Sequence, residues 1–503
     1  MRKSKMKKKD EKNSGSIKIR EIRLDSEKQE ISTDRKRNTE LVIVTYVFVF
    51  LFLLMAGYMI WLNAAERKEL QANVNNTKQD STSENVIRGS IVTEDGTTLA
   101  STSVSEDGTQ IRYYPYENVF AHVVGYASNG KSGLEAYANS QLLSSHISLV
   151  DQLRSEEKGE KVQGDTVVVT LDPALQQAAY YALGSYKGAV VVMEPDSGKI
   201  LAMISKPDFN PNTISQDWDS MVTDETNSAL LNRATQGLYP PGSTFKILTS
   251  LSYIRENPDT YSQFSFNCQG SLSREDVTIT CYNGEVHGQE DLKASFAHSC
   301  NTAFAQIGLD MDGDDFRETA EDFLFNTSLP TDLQHSESVF ELDGNSSYGE
   351  QMTTAIGQGD TLVTPLHMAL IASTVANGGI LMKPYYIARV ETAQGELVSE
   401  TDPSAYGELM SVEEAEILTG FMEETVNGGT ASALLGAGYT AAGKTGSAEY
   451  ETGGTTGTHS WFVGFSNVED PDIVVAVIAE DGGTGSQTAV PIAKAIFDAY
   501  YYG

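Results

Sequence analysis

The chain is organised around the segment Tyr239-Pro-Pro-Gly-Ser-Thr-Phe-Lys246, which Ile247-Leu-Thr-Ser-Leu-Ser-Tyr-Ile254 follows directly. Two prolines and a glycine end one element, and the apolar periodic run after them predicts the start of a helix. Ser243 and Lys246 lie three residues apart, so on a helix they share one face. A lysine that takes the proton of a serine is one way to activate a nucleophile. The S-x-x-K pattern alone is a weak signal, because it recurs at Ser4, Ser128 and Ser155.

Two further short motifs follow in order along the chain. Ser299-Cys300-Asn301 has the form S-x-N, and Lys444-Thr445-Gly446 is the one K-T-G in the sequence. Attack on an amide carbonyl needs a nucleophile, a base, a proton route to the leaving group and donors for the oxyanion. The ordered set of three motifs predicts these groups far better than any single motif does.

Each motif has a chemical part to fill in such a reaction. Ser243 would attack, and Lys246 would have to be neutral to accept its proton. Burial and the nearby cation Lys444 would both lower the pKa of Lys246. Ser299 would relay the proton to the leaving group, and Asn301 would hold a substrate amide.

The K-T-G segment predicts the substrate side of the site. It lies in a predicted strand, whose edge could accept an incoming peptide as a further strand. Lys444 and Thr445 would together bind a carboxylate, and Gly446 and Ser447 continue the same binding strand. The backbone N–H groups of Ser243 and Ser447 would be the donors to the oxyanion.

Leu41 to Leu62 is a run of 22 residues without a charge. A helix rises about 1.5 Å per residue, so this run can cross a hydrocarbon core of about 30 Å. It is longer than the ~7–15 apolar residues of a cleaved signal peptide. Residues 1–40 carry 14 Lys and Arg, so the positive-inside rule predicts a cytoplasmic tail and an extracytoplasmic remainder. Residues 63–84 are polar and predict a tether.

Charge and cysteine usage limit the partners and cofactors. The formal net charge of −33 argues against nucleic acid, because phosphate binding needs a basic surface. Three cysteines and seven histidines show no metal-ligand spacing, so we expect no metal and no other cofactor. Cys268 and Cys281 could pair in an oxidising compartment, which the sequence leaves open. Cys300 is expected to be buried packing and not a thiol nucleophile.

The order of the elements predicts two extracytoplasmic domains. Short strand-like runs over residues 85–165 predict a small non-catalytic pedestal, and residues 166–503 would form the catalytic domain. Apolar runs predict a hairpin over 188–204 and three strands over 439–479, with a mostly helical part over 243–424. Strands at both ends with helices between them predict an α+β fold, an antiparallel sheet flanked by helices.

A competing motif overlaps the K-T-G segment. Residues 438–445 fit G-x-x-x-x-G-K-[ST], the phosphate-binding loop. Such a loop should open a helix, whereas more glycines follow at Gly446, Gly453, Gly454 and Gly457. Nucleotide binding is therefore a remote alternative.

Several other segments have the form of family motifs: Arg88–Ala100, Gly133–Glu135, Asn232–Ala234, Gly357–Ala369, Ala442–Glu449 and Trp461–Gly464. With the three motifs above, the chain resembles the class B penicillin-binding proteins, the membrane-anchored D,D-transpeptidases that cross-link bacterial peptidoglycan. The short stretch between Arg88 and Ser243 is most similar to the compact penicillin-binding protein A subgroup. The resemblance implies the penicillin-binding transpeptidase fold with a small N-terminal domain and a single transmembrane helix. The family usually has threonine where Ser447 stands.

The resemblance also implies a two-step acyl transfer on D-Ala-D-Ala stem peptides. Ser243 would form an acyl-enzyme, an amine of a neighbouring stem peptide would resolve it, and β-lactams would acylate the same serine. A polytopic glycosyltransferase of the shape, elongation, division and sporulation type is the implied membrane partner. Alternatives on the same fold are a D,D-carboxypeptidase, a β-lactamase and a β-lactam sensor. An idle scaffold that recruits division proteins is the alternative of a different class.

Overall fold

The computed structural model describes residues 39, 41–59, 61, 86–452 and 455–503. The chain divides into two compact units, Met1–Asn76 and Thr77–Gly503. In the first unit, helix α1 (Leu41–Met59) is apolar and exposed along its length, and it is the one helix in the described part of the chain that is long and apolar enough to cross a membrane. It fits a single-pass anchor. The predicted tail (residues 1–40, apart from residue 39) and tether (63–84) lie outside the described residues.

Strands of the second unit form two larger sheets and several two-stranded ones. In chain order they are β1 (Val86–Ile87), β2 (Ile91–Thr93), β3 (Thr98–Val104), β4 (Gln110–Tyr113), β5 (Val162–Gln163), β6 (Thr166–Val169), β7 (Gly188–Met193), β8 (Ile200–Lys206), β9 (Phe266–Cys268), β10 (Ser271–Arg274), β11 (Val277–Thr280), β12 (Gly288–Glu290), β13 (Ile380–Met382), β14 (Ile387–Glu391), β15 (Leu397–Glu400), β16 (Ala405–Glu408), β17 (Ala441–Thr452), β18 (Thr455–Ser466) and β19 (Val474–Ala479).

Helices lie between and around these strands. They are α2 (Ala121–Val124), α3 (Gly133–Tyr137), α4 (Asn139–Leu142), α5 (Leu149–Lys158), α6 (Pro173–Leu183), α7 (Ile214–Val222), α8 (Arg233–Gln236), α9 (Lys246–Glu256), α10 (Leu292–Ala297), α11 (Asn301–Asp310), α12 (Gly313–Asp322), α13 (Tyr348–Ala355), α14 (Pro365–Ala376), α15 (Val412–Asn427) and α16 (Ala489–Tyr502), with short 3-10 turns at Glu117–Phe120, Gly242–Phe245, Tyr261–Gln263, Tyr282–Gly284 and Ser432–Leu434.

The sheet that carries the candidate site has the order β17-β18-β19-β7-β8, and all its pairs are antiparallel. This confirms the predicted hairpin and the three C-terminal strands. β7 and β19 are buried along their whole lengths, because helices cover both faces. Val190 and Val192 pack with residues of α6 and α16, while Val191 and Met193 belong to the cluster that includes α14. Alternate residues of a strand point to opposite faces, so the sheet separates two cores.

The predicted pedestal (residues 85–165) supplies β2, β3 and β4 to a six-stranded sheet of order β15-β14-β6-β2-β3-β4. β6 pairs in parallel with β2 and antiparallel with β14. The sequence assigned this strand to the catalytic domain that begins at residue 166. In the structure, a cut at residue 165 would separate β6 from its sheet neighbour β2, and the distant strands β14 and β15 complete the same sheet.

The middle of the chain is less helical than predicted. Helices α9 to α15 lie there, but so do eight short strands, β9 to β16. β10 and β11 form a hairpin in which Ser271 lies opposite Thr280. The residues of this hairpin are mostly exposed. The alternation of Val277 and Ile279 with threonines is only four residues long, too short to be recognised within a stretch predicted to be helical.

A buried ion network holds the pedestal together. Arg88 Nε donates to Glu135 Oε2 at 2.6 Å and Arg112 Nε to Glu135 Oε1 at 2.7 Å. Arg88 also donates to the side chain of Asn139. Burial raises the pKa of Glu135, but the charges of Arg112 and Arg88 outweigh burial and the net pKa is lowered. The carboxylate is therefore the form that the fold requires.

We expect Glu135→Gln to lower the free energy of unfolding by about 3–5 kcal/mol, because it leaves two buried guanidinium groups without their anion. The measurement is chemical denaturation of the full chain in detergent. Arg154→Ala is the control, because Arg154 pairs with Asp151 at an exposed site, where an ion pair contributes only about 0–1 kcal/mol. Equal losses in the two variants would show that the buried network is not what stabilises the pedestal.

Candidate active site

Ser243 and Lys246 lie where a 3-10 turn (Gly242–Phe245) passes into helix α9. Gly242 has φ +54°, a left-handed conformation that glycine adopts without strain. A Cβ on Gly242 would lie 3.1 Å from the backbone of Ser447, so the turn lies directly against β17. Ser243 is half-buried, whereas Lys246, the first residue of α9, is completely buried.

Hydrogen bonds fix the chain just before the turn. The indole Nε1 of Trp461 in β18 donates to the carbonyl of Pro240 at 3.0 Å. The hydroxyl of Tyr239 and Arg233 Nε both donate to Glu480 Oε1 at 2.7 Å. The Tyr239 segment is thereby tied to the central sheet. No motif in the sequence indicates Glu480 for this role.

The side chain of Lys246 joins two of the three motifs. Its Nζ donates to the Ser299 carbonyl at 2.9 Å, to Ser299 Oγ at 3.3 Å and to Asn301 Oδ1 at 2.9 Å. The structure thus brings Lys246, Ser299 and Asn301 together, as the sequence predicts. In this state the hydrogen bonds of Lys246 go to the S-x-N segment rather than to Ser243 Oγ.

Both lysines of the site are buried, and burial lowers both pKa values. For Lys246, burial lowers the pKa to about 8, against the opposing influence of Cys300, Cys281 and Glu290. For Lys444, burial lowers the pKa well below its usual value, and the charge of Lys246 lowers it further. Burial and Lys444 were both predicted to lower the pKa of Lys246. Burial is the main cause, because a buried ammonium group loses its hydration.

The K-T-G segment lies in β17, which is an edge strand of its sheet. The side-chain amide of Gln358, oriented so that each donor meets an acceptor, bonds to the backbone carbonyl and N–H of Glu449 at 3.1 and 3.2 Å. The backbone of Glu449 therefore points away from β18. Residues two and four positions earlier share that direction, so Ser447 and Thr445 also present backbone groups to the open edge.

The predicted oxyanion donors are neighbours in the structure. Ser447 lies on the open edge of β17 and touches Gly242, the residue before Ser243. Ser447 Oγ also accepts a hydrogen bond from the backbone N–H of Gly485 at 3.3 Å. The serine side chain is thus held to the protein, and its backbone N–H is left to face the cleft.

Gly357 supports the nucleophile turn from behind. Its carbonyl accepts the N–H of Gly242 at 2.8 Å. A Cβ on Gly357 would collide with the Gly242 carbonyl and would lie 2.7 Å from Phe245 Cβ. Its φ of +74° also favours glycine. This close approach explains why the Gly357-Gln-Gly359 block stands beside the site.

We expect Gly357→Ala to slow acylation by penicillin, because the new Cβ must push the Ser243 turn away from β17. The measurement is the acylation rate of the full chain with a fluorescent penicillin. Gly359→Ala is the matched control, since Gly359 has φ +76° but its Cβ would only reach Thr353 Cβ at 3.8 Å. Both variants lose about 1–2 kcal/mol to the left-handed conformation. An equal loss of acylation in both would refute the close-approach explanation.

The phosphate-binding loop alternative is wrong. Residues 438–445 lead into β17, an antiparallel strand paired with β18, and not into a helix. A phosphate-binding loop needs the N-terminus of a helix to hold its anion.

The three cysteines lie together in the structure, and the pairing that the sequence left open is absent. Cys268 and Cys281 are not joined, since their Sγ atoms lie 3.7 Å apart. The expectation of no metal rested on residue spacing in the sequence, and spacing does not show which side chains meet in the fold. Cys268, Cys281, His287 and Cys300 converge, with their ligand atoms within 4.8 Å of one another. They come from four separate pieces of chain, which spacing in the sequence does not reveal.

Comparison with known proteins gives the class to which the chain belongs. The family model of the penicillin binding protein transpeptidase domain matches residues 188–498, and that of the penicillin binding protein A dimerisation domain matches residues 88–167. The chain belongs to the penicillin-binding proteins, in their class B. The predicted fold, an α+β penicillin-binding transpeptidase fold with an N-terminal region, is confirmed.

Within that class the chain is similar to penicillin-binding protein A. It is 34% identical over 433 residues to the peptidoglycan D,D-transpeptidase PbpA of Mycolicibacterium smegmatis, covering 80% of this chain and 87% of that protein. The penicillin G acyl-enzyme of penicillin-binding protein A from M. tuberculosis is 30% identical, with a TM-score of 0.75, over 82% of this chain and 99% of that one. The D,D-transpeptidase domain of a peptidoglycan glycosyltransferase from Eggerthella lenta is 33% identical, with a TM-score of 0.75, over 83% of this chain and 98% of that one.

Proposed function

We propose that this chain is a membrane-anchored serine D-Ala-D-Ala transpeptidase of peptidoglycan and a target of β-lactams. The observation that carries the proposal is Lys246, a completely buried lysine bonded to Ser299 and Asn301, one turn from a half-buried serine. Relatives named peptidoglycan D,D-transpeptidase and β-lactam acyl-enzymes of a similar protein support it.

The first step is acylation of the serine. Ser243 Oγ attacks the penultimate D-Ala carbonyl of a stem peptide, and its proton passes to neutral Lys246. A bond forms between Oγ and the carbonyl carbon, and the peptide bond to the terminal D-Ala breaks. The ammonium of Lys246 returns the proton through Ser299 to the departing amine, which leaves as D-Ala. Asn301 holds an amide of the donor peptide.

The substrate is held along the edge of β17. The donor peptide adds to Thr445 and Ser447 as a further strand. Gly446 between them lets the Ser243 turn pack closely, since a Cβ there would lie 3.0 Å from the Pro241 carbonyl. Thr445 and Lys444 bind the terminal carboxylate. The N–H groups of Ser243 and Ser447 stabilise the oxyanion, and removal of one such donor typically costs about 10²–10³-fold in rate.

The second step resolves the acyl-enzyme. An amine of a neighbouring stem peptide attacks the ester, the bond to Ser243 Oγ breaks, and the new amide is the cross-link. The amine's surplus proton returns to the serine through Lys246. A β-lactam follows only the first step, because its leaving group stays attached and blocks the acceptor.

A membrane anchor suits an enzyme whose substrate is itself bound to the membrane. We place residues 1–40 in the cytoplasm and the catalytic domain outside, as the 14 basic residues of the tail indicate. We propose a pedestal over residues 85–165 and a transpeptidase domain over 166–503, with β6 of the second segment completing the sheet of the first. A polytopic glycosyltransferase is the membrane partner that would supply the glycan strands.

The test is a cross-linking assay with the full chain in detergent. The chain receives a pentapeptide donor ending in D-Ala-D-Ala and a stem-peptide acceptor, and mass spectrometry follows the products. We expect release of D-Ala together with the cross-linked dimer. D-Ala release without a dimer would make the protein a carboxypeptidase, rapid hydrolysis of penicillin a β-lactamase, and a stable adduct without either product a sensor. If neither an adduct nor a product forms, the alternative that remains is the idle scaffold that recruits division proteins.

A further inference from the structure

Four metal-binding side chains meet beside the S-x-N segment. Cys268 ends β9, Cys281 directly follows β11, His287 directly precedes β12, and Cys300 caps the N-terminus of α11. The three thiols are completely or almost completely buried. They are also the only cysteines in the sequence, so the folded chain collects all its thiols at one place.

Three distances within this cluster match a tetrahedral zinc site, and all four ligand atoms lie within 4.8 Å of one another. Zinc binds sulfur at about 2.3 Å and nitrogen at about 2.0–2.1 Å, which places tetrahedral S···S neighbours about 3.8 Å apart and S···N neighbours about 3.6 Å apart. Cys281 Sγ lies 3.7 Å from Cys268 Sγ and 3.8 Å from Cys300 Sγ. Cys268 Sγ lies 3.4 Å from His287 Nδ1. A disulfide would need an S–S distance of about 2.0 Å.

Groups around the cluster orient its ligands. The backbone N–H of Gly270 donates to Cys268 Sγ at 3.4 Å, and the hydroxyl of Thr302 donates to the same sulfur at 3.2 Å. Such donors stabilise a thiolate more than a thiol. His287 Nε2 lies 3.8 Å from Glu285 Oε2, the kind of carboxylate neighbour that fixes the ring of a metal-bound histidine.

We propose that Cys268, Cys281, His287 and Cys300 bind one Zn²⁺ in a closed structural site. Three sulfurs and one imidazole form the Cys₃His set that zinc takes in structural sites. The hard cations Mg²⁺ and Ca²⁺ prefer oxygen ligands instead. With three thiolates and a neutral histidine, the zinc complex carries a net charge of −1, which a buried site tolerates better than three separate thiolates. All four positions are filled by protein, so the metal takes no direct part in the chemistry.

The site has a mechanical consequence for the proposed transpeptidase. Cys300 lies between Ser299 and Asn301, and Ser299 has φ +58°, a left-handed conformation that costs a non-glycine residue about 1–2 kcal/mol. Asn301 Nδ2 also donates to the Thr280 carbonyl at 3.0 Å, next to Cys281. The metal thus ties the β9–β12 segment to the turn that presents Ser299 and Asn301 to Lys246. The proposal of zinc binding does not depend on the proposed function. Only this positioning role rests on the proposed function.

The first experiment measures zinc and thiols in the full chain, purified in detergent without chelator. We expect about one zinc per chain by elemental mass spectrometry. We also expect three thiols that resist alkylation in the folded protein and become reactive once a chelator is added. A chain that contains no zinc and whose thiols react freely would overturn the site. So would a zinc-free chain in which a disulfide between Cys268 and Cys281 leaves a single free thiol.

Variants then locate the metal. Cys268→Ser and His287→Ala should each lose most of the bound zinc. His298→Ala is the matched control, because its ring stacks on His287 with centroids 6.0 Å apart but its Nδ1 pairs with Glu290 at 2.6 Å. Normal zinc content in the first two variants would overturn the assignment. If a ligand variant fails to fold, Co²⁺ is added instead to the chelated wild-type chain. A tetrahedral thiolate spectrum then supports the site, and the absence of this spectrum counts against the site.

The positioning role has its own test. Chelated wild-type chain, shown to be folded by circular dichroism, is acylated with a fluorescent penicillin before and after Zn²⁺ is returned. We expect the limiting acylation rate to fall about 10²-fold without zinc, as for a catalytic group displaced by about 1 Å, and to recover with zinc. An unchanged acylation rate in folded, zinc-free protein would refute the positioning role. Whether the zinc site exists would still be decided by the measured zinc content. Absence of acylation in both states would point to a failure of the proposed function instead.

Discussion

Replacement of Ser243 by alanine is expected to abolish the covalent adduct with penicillin while leaving the chain folded. Oγ is the atom that bonds to the acyl carbon, so nothing replaces it when it is removed. The stability cost should be small, since the structure gives this half-buried hydroxyl no hydrogen bond to the protein among the described residues. The measurement is incubation of the full chain with a fluorescent penicillin, followed by peptide mapping of the adduct by mass spectrometry.

A second serine on the following helix provides the control. Ser252 lies on α9, is buried, and its Oγ has no hydrogen-bond partner. Ser252→Ala therefore removes a hydroxyl from the same helix without removing the nucleophile, and it should label like the wild type. An adduct that survives Ser243→Ala, or that maps to another residue in the wild type, would remove Ser243 from the mechanism.

Lys246→Met should lower the acylation rate by about 10²–10⁴-fold, the usual range for loss of a general base. Methionine keeps most of the volume of the buried side chain, so the core around Phe304 stays filled. It leaves Asn301 Oδ1 and the Ser299 carbonyl without their donor, at a cost of about 1–3 kcal/mol. The measurement is the rate of adduct formation at saturating penicillin, with circular dichroism as the check on folding.

The pH dependence separates a base from a merely structural lysine. Burial lowers the pKa of Lys246 to about 8, so its neutral fraction grows as the pH rises through that value. The wild-type acylation rate should rise over the same interval, and the Lys246→Met rate should not. Lys206→Met is the control, since Lys206 Nζ binds the carbonyls of Tyr180 and Gly184 away from the site. Wild-type rates in Lys246→Met would show that another group takes the proton.

Much of the sheet could be predicted because local sequence determines it. The apolar runs of β7 and β8 are joined by turn residues, and so they pair with each other. The same holds for β17, β18 and β19. The meeting of Lys246 with Ser299 and Asn301 was also predictable, because three ordered motifs demand a common reaction. In these places the local sequence pattern and the requirements of the reaction predict the same arrangement.

The remaining features depend on contacts between distant pieces of chain. β6 lies beside β2 and β14, yet an isolated apolar run does not show which sheet it joins. Cys268, Cys281, His287 and Cys300 follow no known metal spacing, since each comes from a different element of a mostly polar segment. The dominance of burial in the pKa of Lys246 likewise depends on Phe304 and its neighbours, which the sequence does not place.

The bond between Gln358 and Glu449 sets a limit on what the cleft accepts. It occupies the backbone of β17 just beyond Ser447, so an added strand can pair at Thr445 and Ser447 but cannot run on along the edge. An extended segment laid along this edge towards Glu449 would therefore meet the amide of Gln358 and stop, whereas a short peptide that ends at Ser447 would not. The same contact also closes an exposed strand edge against pairing with another copy of the protein, a hazard that open sheet edges carry.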